Sequence, residues 1–220
     1  MTRMKIVTEY PVARDSIEYN IRPESRRDNS RNLKFNKKLE IFCGSVLDLG
    51  CAGGAFVKDC LDEGRVAIGI EGNDYNIRKK RHEWPNIPES LFTCDITKPF
   101  IVCPLEADTN DSCTYDPYLF DIITAWEVLE HIPESRIHQF FSNVYDHMGR
   151  EGLFIVSISN KPSFNKAGID VHVTQKMPEW WEAELSEHGL IRVPAIEKYF
   201  DPDWIRNEKG SFHFVLQRLW

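Results

Sequence analysis

Short apolar runs recur along the chain, separated by segments in which apolar residues are spaced as on an amphipathic helix. These runs occur at residues 45–49, 66–70, 91–94, 120–125 and 153–158. A continuous apolar run is typical of a strand that is buried on both faces of a parallel sheet. Strands that alternate with helices indicate βαβ units with right-handed crossovers. The pattern therefore predicts an α/β fold built on a parallel sheet.

Helices are predicted where the apolar spacing changes and where glycine or proline ends the pattern. The predicted helices cover residues 33–42, 54–63, 74–83, 134–148 and 178–188. After the last of them, a strand near 190–197 and an apolar run at 212–219 break the regular alternation. We expect these two segments to pair as an antiparallel, hairpin-like edge of the sheet.

Two segments depart from the alternation. Residues 1 to about 32 carry little periodicity, and we expect residues 1–40 to form an N-terminal lid or helical segment ahead of a domain that spans residues 41–220. Residues 100–119 stand where the third crossover helix belongs. Their prolines, including Pro104 and Pro117, and a polar run between them predict a long loop instead.

The composition is that of one globular domain. A chain of 220 residues can bury a sizeable core, and its apolar content is 42%. No apolar run approaches the ~18 residues of a membrane helix, so we expect no membrane partner. The N-terminus lacks a signal-peptide core, and the six cysteines form no Cys-x-x-Cys pair. These features favour a reducing, cytoplasmic location.

The net charge of −7 gives the chain no general attraction to nucleic acid or to an anionic membrane. A local basic run at residues 22–38 is the candidate exception. Charge runs are usually solvated, so a solvated helix face or a lid beside the ligand is the preferred interpretation. Nucleic acid is therefore the less favoured partner, and a small molecule is the favoured substrate.

A turn of small residues follows the first strand of the domain, and residues 46–54 have the sequence VLDLGCAGG. Glycines here allow a tight turn and close approach of the backbone to a ligand. The G-x-G-x-x-G spacing is absent, and Asp48 stands two residues before the first glycine. A carboxylate repels pyrophosphate but can receive an ammonium group. The turn therefore predicts a cationic or zwitterionic ligand, with a structural turn as the alternative.

Two further acids end predicted strands. Glu71 closes the second strand, where a carboxylate can accept hydrogen bonds from both hydroxyls of a ribose. Asp95 ends the third strand and can accept from an adenine amino group while Ile96 covers the ring. The structural alternatives are a solvated acid for Glu71 and a helix cap for Asp95. The carboxyl ends of parallel strands converge on one crevice, which favours a shared nucleoside site.

Chemistry-bearing side chains follow the fourth strand, where residues 121–133 have the sequence DIITAWEVLEHIP. Glu127 and either Glu130 or His131 share one face if this segment is helical. His172 lies downstream, in the loop after the fifth strand. These side chains suit a divalent metal, a metal-free general base or a structural role, and the residues alone leave the three open.

Together these segments resemble class I S-adenosylmethionine-dependent methyltransferases, in the subgroup with Glu-Val-Leu-Glu-His after the fourth strand. The resemblance covers roughly residues 40–220 and implies a Rossmann-like, doubly wound sheet of seven strands, mostly parallel with an antiparallel last strand. It implies S-adenosylmethionine as the cofactor, with Trp126 against its sulfonium end. The implied cofactor-binding residues are Asp48, Gly50, Ala52, Gly54, Glu71, Asp95, Ile96 and Trp126.

The Glu127–His131 segment and His172 also resemble the metal-dependent small-RNA 2′-O-methyltransferases and a related arrangement in quinone-biosynthesis O-methyltransferases. That resemblance implies Mg²⁺, Mn²⁺ or Zn²⁺ held by Glu127, Glu130, His131 and His172. The catalytic candidates are His131, His172 and Glu127, because a base or a metal beside the methyl group serves a hydroxyl acceptor best.

The resulting hypothesis is O-methylation of a small-molecule or sugar hydroxyl. Methylation of an RNA 2′-hydroxyl, carried by the metal resemblance and the basic run, is the alternative within the same class. The alternative from another functional class is a subunit that binds the cofactor without catalysing a reaction.

Overall fold

The computed structural model describes residues 3–17, 19, 32–42, 44–105, 116–204 and 210–219. The strands in these ranges are β1 (Met4–Val7), β2 (Ser45–Leu49), β3 (Val66–Glu71), β4 (Leu91–Thr93), β5 (Ile101–Pro104), β6 (Phe120–Trp126), β7 (Met148–Ser159), β8 (Leu190–Arg192) and β9 (Ser211–Arg218). The helices are α1 (Leu33–Leu39), α2 (Ala55–Asp62), α3 (Tyr75–Arg78), α4 (Glu134–His147), α5 (Pro178–Glu187) and α6 (Pro194–Phe200).

Seven of the strands form one sheet in the order β4-β3-β2-β6-β7-β9-β8. Neighbouring pairs from β4 to β7 are parallel, whereas β9 runs antiparallel to both β7 and β8. The predicted α/β fold, mostly parallel with an antiparallel last strand, is confirmed. The strand order reverses beside β2 and β6, so their carboxyl ends border the crevice in which such sheets bind ligands.

Apolar side chains lie on both faces of this sheet. Along β2, Leu47 and Leu49 join one buried cluster, while Val46 joins the other. Successive side chains of a strand point to opposite faces, so a strand covered on both sides must be apolar throughout. This is why the continuous apolar runs located the strands of the sheet.

The predicted loop at 100–119 is wrong at Ile101–Pro104, where β5 lies, and its residues 106–115 lie outside the described residues. Strand β5 pairs antiparallel with β1, with Met4 opposite Pro104 and Val7 opposite Ile101, in a separate two-stranded sheet. Both strands are four residues long, too short for an alternating pattern to stand out. The pairing also joins segments that are far apart in sequence.

Two predicted elements are shorter than expected. The helix over 74–83 ends at Arg78, and Lys80 and His82 follow with φ values of 49° and 52°, which no α-helix contains. The strand near 190–197 ends at Arg192, and α6 begins at Pro194. Proline is favoured in the first turn of a helix because its missing N–H has no partner there anyway.

The structure bears on the predicted state of the cysteines, on membrane-spanning helices and on the basic run. Cys103 is disulfide-bonded, so the expectation of reduced cysteines is wrong for that residue, while the buried Cys51, Cys60 and Cys94 form no disulfide. No helix within the described ranges has the length and apolar character needed to cross a membrane. Most of the basic run at 22–38, namely residues 22–31, lies outside the described residues.

Candidate functional site

The glycine turn connects β2 to α2 through a left-handed backbone. Gly50 and Gly54 have φ values of 79° and 81°, and Ala52 between them has a φ of 49°. The carbonyl oxygen of Ala52 accepts hydrogen bonds from Asn76 Nδ2 and from Trp84 Nε1, each at 3.0 Å. An alanine in this conformation is strained, and the two buried donors help to hold it there.

Glu71 turns its carboxylate towards this turn from the end of β3. Its Oε2 accepts from the backbone N–H of Ala52 at 3.0 Å, and its Oε1 accepts from the N–H of Asn73 at 3.1 Å. These two bonds fix the orientation of the carboxylate, whose oxygens can each accept more than one hydrogen bond. The predicted ribose acid and the glycine turn are thus in direct contact.

Asp48 lies inside β2, and its side chain is buried. Its Oδ1 accepts a hydrogen bond of 2.6 Å from Thr124 Oγ1, and the two residues are register partners in the β2–β6 pair. The carboxylate is therefore bonded across to β6, two residues before Gly50 of the turn.

Asp95 follows β4, with its side chain almost completely buried. Its Oδ1 accepts from the backbone N–H and the hydroxyl of Thr97 at 3.0 and 2.6 Å, which is the geometry of a local cap. Its Oδ2 lies 4.0 Å from a guanidinium nitrogen of Arg136, at the start of α4. Ile96 is buried beside it. Glu71 and Asp95 thus stand at the carboxyl ends of adjacent strands, as predicted.

Trp126 ends β6 and is buried in the cluster that also contains Phe35 of α1. The two rings meet edge to face, with centroids 5.4 Å apart. The structure therefore gives Trp126 a packing role between the sheet and α1. The contact with a sulfonium group remains a prediction.

The segment after β6 does not continue as an α-helix. Glu127 has a φ of 54°, and its N–H is bonded to the carbonyl oxygen and the hydroxyl of Ser157 at 3.0 and 3.1 Å. A short 3-10 helix follows at Leu129–His131. The helix that would place Glu127 on the same face as Glu130 or His131 is therefore absent.

This segment also packs directly on the glycine turn. A Cβ atom added to Gly50 would lie 2.5 Å from Cγ2 of Val128, closer than real Cβ contacts allow. Only glycine both adopts the φ of this position and leaves room for Val128. The contact joins the candidate cofactor turn to the segment that carries His131.

His131 and His172 meet with their rings perpendicular and their centroids 4.6 Å apart. His131 Nδ1 is bonded to the carbonyl oxygen of Val171 at 3.0 Å, and His172 Nδ1 to that of Lys161. A carbonyl oxygen only accepts, so each Nδ1 must carry the proton. In the neutral rings, Nε2 is therefore the basic nitrogen, free of its proton and able to accept one or to bind a metal.

The surroundings of His172 favour its neutral form. Burial lowers its pKa, and the neighbouring His131 lowers the pKa further, while the bond to Lys161 and the charges of Glu127 and Asp170 act in the opposite direction. A neutral imidazole at physiological pH is the form that a general base requires.

Glu130 is fully buried close to the two rings. Its Oε1 accepts from the N–H of Ser159 at 3.0 Å. The loop that carries His172 is fastened to this segment by Thr174, whose N–H donates to the carbonyl of Glu130 at 3.0 Å and whose hydroxyl donates to the carbonyl of Ile132 at 2.7 Å. Thr174 thereby fixes the spacing of the two imidazoles.

Glu130, His131 and His172 can each offer one ligand atom such that all of these atoms lie within 4.8 Å of one another. Within the described ranges, this group does not include Glu127. Glu127 as a metal ligand stays a prediction, although its left-handed backbone differs from the helical turn on which that prediction was based.

Several residues that shape the site were not predicted. They act through buried side-chain hydrogen bonds to backbone or carboxylate groups, and they are Asn76, Trp84, Thr124, Ser157 and Thr174. Their spacing in the sequence carries no pattern that points to these partners. A polar residue inside an apolar strand, such as Thr124, is the one signal that could have been used.

Known proteins resemble this chain in sequence and in fold. A family model described as a methyltransferase domain matches residues 18–204. The ubiquinone biosynthesis O-methyltransferase of Glaesserella parasuis serovar 5 is 27% identical over 122 residues, or 55% of this chain and 48% of that protein. The mitochondrial ubiquinone biosynthesis O-methyltransferase of Bos taurus is 24% identical over 192 residues, or 79% of this chain and 49% of that protein. The chain thus spans about half the length of these curated relatives.

Solved structures share the fold. An S-adenosylmethionine-dependent methyltransferase from Clostridium acetobutylicum superposes with a TM-score of 0.57 at 12% identity, covering 93% of this chain and 95% of that one. A TehB-like S-adenosylmethionine-dependent methyltransferase from Corynebacterium glutamicum gives 0.57 at 13% identity, covering 85% and 86%. Because the family model covers most of the chain and the sheet has the same architecture, the chain belongs to the methyltransferase domain family and has the class I fold of S-adenosylmethionine-dependent methyltransferases.

Proposed function

We propose that this chain binds S-adenosylmethionine and transfers the methyl group to a hydroxyl oxygen of a small molecule or a sugar. The observation that carries the proposal is the His131–His172 pair, which presents basic Nε2 atoms on a segment packed against the glycine turn. Membership of the methyltransferase domain family supports methyl transfer. The curated relatives described above are O-methyltransferases by name, which supports oxygen as the acceptor atom.

The donor set of the site suits the cofactor. Glu71 offers a carboxylate held in place by two backbone N–H groups, which is the group that a ribose diol needs. Asp95 offers a carboxylate at the next strand end, with Ile96 beside it for the adenine face. The cofactor-binding residues we propose are Asp48, Gly50, Ala52, Gly54, Glu71, Asp95 and Ile96, with Trp126 as a wall of the same region.

When bound, S-adenosylmethionine supplies a methyl group activated by the adjacent sulfonium charge. The contribution of the protein is to hold the acceptor oxygen in line with that methyl group and to remove the hydroxyl proton. His131 or His172 accepts this proton at Nε2, while the backbone carbonyl of Val171 or Lys161 keeps the ring oriented through Nδ1. Glu127 lies close enough to His172 to favour its protonated form, so it would stabilise the charge that the ring gains.

The same groups support a second candidate, in which a divalent metal replaces the free base. Two imidazoles and the Glu130 carboxylate offer ligand atoms within 4.8 Å of one another, and Mg²⁺, Mn²⁺ and Zn²⁺ are all compatible with such donors. A metal would lower the pKa of the acceptor hydroxyl and position its oxygen. This candidate would also favour the alternative acceptor, an RNA 2′-hydroxyl.

Thermal unfolding with S-adenosylhomocysteine tests the proposal, because a ligand that binds only the folded state raises the unfolding temperature. The measurement is repeated with EDTA and with added Mg²⁺, Mn²⁺ or Zn²⁺. We expect a shift with S-adenosylhomocysteine that EDTA does not change. A further metal-dependent shift that is lost in His172→Ala would favour the metal candidate. No shift with S-adenosylhomocysteine would contradict cofactor binding, and binding without turnover of any hydroxyl compound would favour a non-catalytic subunit.

A further inference from the structure

Residues 8–17, here called the strap, run across the carboxyl ends of β3 and β4. The N–H of Ala13 donates to the carbonyl of Gly72 at 2.9 Å, directly after β3. The N–H of Asp95 donates to the carbonyl of Tyr10 at 2.9 Å, after β4. The strap is thus bonded to the backbone beside both acids, Glu71 and Asp95, of the candidate nucleoside site.

The strap lies close to the sheet at its crossing point. A Cβ atom added to Gly72 would lie 3.1 Å from Cβ of Ala13, so the strap sits where a side chain would otherwise stand. Beyond the strap, Asn73 Nδ2 donates to the carbonyl of Tyr19 at 2.8 Å. The strap therefore lies against the backbone that directly follows Glu71 and that carries Asp95.

One side chain connects the strap to the site from the opposite element. A guanidinium nitrogen of Arg136 lies 3.3 Å from Oδ2 of Asp15 in the strap, and the other lies 4.0 Å from Oδ2 of Asp95. The Asp95 side chain is only 6% exposed, whereas that of Asp15 is 68% exposed. Arg136 therefore pairs with a buried acid of the site and with an exposed acid that can leave.

We propose that Arg136 is a positioning residue that holds the strap over the cofactor site through Asp15, so that breaking this ion pair sets how fast the cofactor enters and leaves. The proposal rests on the proposed function, since it assigns the nucleoside to Glu71 and Asp95. Arg136 balances the negative charge of the Asp95 carboxylate whether the strap is closed or open. The strap opens when the contacts of Asp15, Ala13 and Tyr10 are lost.

The strength of this ion pair suits a contact that opens and closes. Exposed ion pairs contribute little to stability and are screened by salt, so the closed strap is only modestly favoured by Asp15. Loss of the pair should raise the association and dissociation rates together, by about two- to fivefold, the range that removal of an exposed pair produces. The equilibrium affinity should change less than either rate.

The test uses S-adenosylhomocysteine as the probe, with binding rates measured by surface plasmon resonance on the full chain. The strap variants are Asp15→Asn and Arg136→Gln, and Arg136→Lys restores the charge. Asp62→Asn is the matched control, because Asp62 also forms an exposed ion pair, with Lys58 in α2, and its side chain is similarly exposed at 62%. Hydrogen exchange at the Ala13 amide reports opening of the strap without ligand.

We expect Asp15→Asn to raise both binding rates and to speed exchange at the Ala13 amide, with Asp62→Asn unchanged. Arg136→Gln should show a larger effect, and Arg136→Lys should recover towards the wild type. If the wild type binds S-adenosylhomocysteine and Asp15→Asn leaves the rates and the Ala13 exchange unchanged, the role of Arg136 is refuted while the proposed function stands. If the wild type does not bind it, the proposed function and the role in cofactor exchange both fail.

Discussion

The rings of His131 and His172 meet at an interplanar angle of 90°, with their Nδ1 atoms bonded to two different backbone carbonyls. One residue comes from the 3-10 helix after β6 and the other from the loop after β7. Both rings are thus oriented by the backbone, independently of any ligand. Orientation before binding reduces the cost of bringing the reacting groups into line.

The contact between Gly50 and Val128 makes the turn sensitive to one added methyl group. Gly50→Ala should destabilise the protein by about 2–4 kcal/mol, because it combines a positive φ with overpacking against Val128. Gly64→Ala is the matched control. Gly64 also has a positive φ, of 82°, but nothing lies within 4 Å of its added Cβ, so only about 1–2 kcal/mol should be lost.

Urea denaturation of the two variants separates the clash from the backbone term. The double variant Gly50→Ala with Val128→Ala should recover part of the loss, as an interaction term in the mutant cycle. Equal losses in Gly50→Ala and Gly64→Ala would show that Val128 does not restrict the turn.

Glu71 should be needed for cofactor affinity. Glu71→Gln keeps the shape but removes the charge and one strong acceptor, so the Kd for S-adenosylhomocysteine should rise about 10- to 100-fold, consistent with the loss of charge-assisted hydrogen bonds. Isothermal titration calorimetry measures the change. Glu89→Gln is the control, since Glu89 is an exposed acid paired with Arg3. Unchanged affinity in Glu71→Gln would remove Glu71 from the cofactor site.

Thr174 should stabilise the imidazole pair through its hydroxyl. Thr174→Val keeps the shape and the N–H but leaves the buried carbonyl of Ile132 without this donor, which should cost about 1–3 kcal/mol. Thr174→Ser retains the hydroxyl and should lose less. Denaturation gives the stability, and NMR spectra of the His131 and His172 rings show whether their spacing changes. Identical ring spectra in Thr174→Val would limit Thr174 to a packing role.

Buried histidines should make the fold sensitive to acid. Burial lowers the pKa of His147, whose Nε2 accepts from the N–H of Val102 at 2.9 Å, and burial also lowers the pKa of His172. The unfolded chain, with histidine pKa values of about 6.5, then binds more protons than the folded chain. Stability should therefore be fully present above about pH 6.5 and decrease as the pH falls below it.

The measurement is the urea midpoint between pH 7.5 and pH 5.0. In His147→Gln, the amide oxygen can still accept from Val102 but does not titrate over this range, so the midpoint should depend less steeply on pH. A slope equal to that of the wild type would assign the pH dependence to other groups.

The sequence predicted the main sheet because burial on both faces requires continuous apolar runs, such as those of β2 and β3. It missed the pairing of β1 with β5, since short strands carry little pattern and backbone pairing is not encoded by residue type. It also placed Glu71 and Asp95 at strand ends, because an acid at the end of an apolar run can be recognised from the sequence alone.

The sequence by itself thus determined the parallel strands of the main sheet, the glycine turn and the candidate chemistry after β4 and β6. Only the tertiary structure decided that Glu127 takes a left-handed backbone, that Thr174 fixes His172 beside His131, and that the strap meets Arg136. The first set depends on local spacing and burial, which residue types record. The second depends on hydrogen bonds and ion pairs between distant segments, which form only once the sheet brings those segments together.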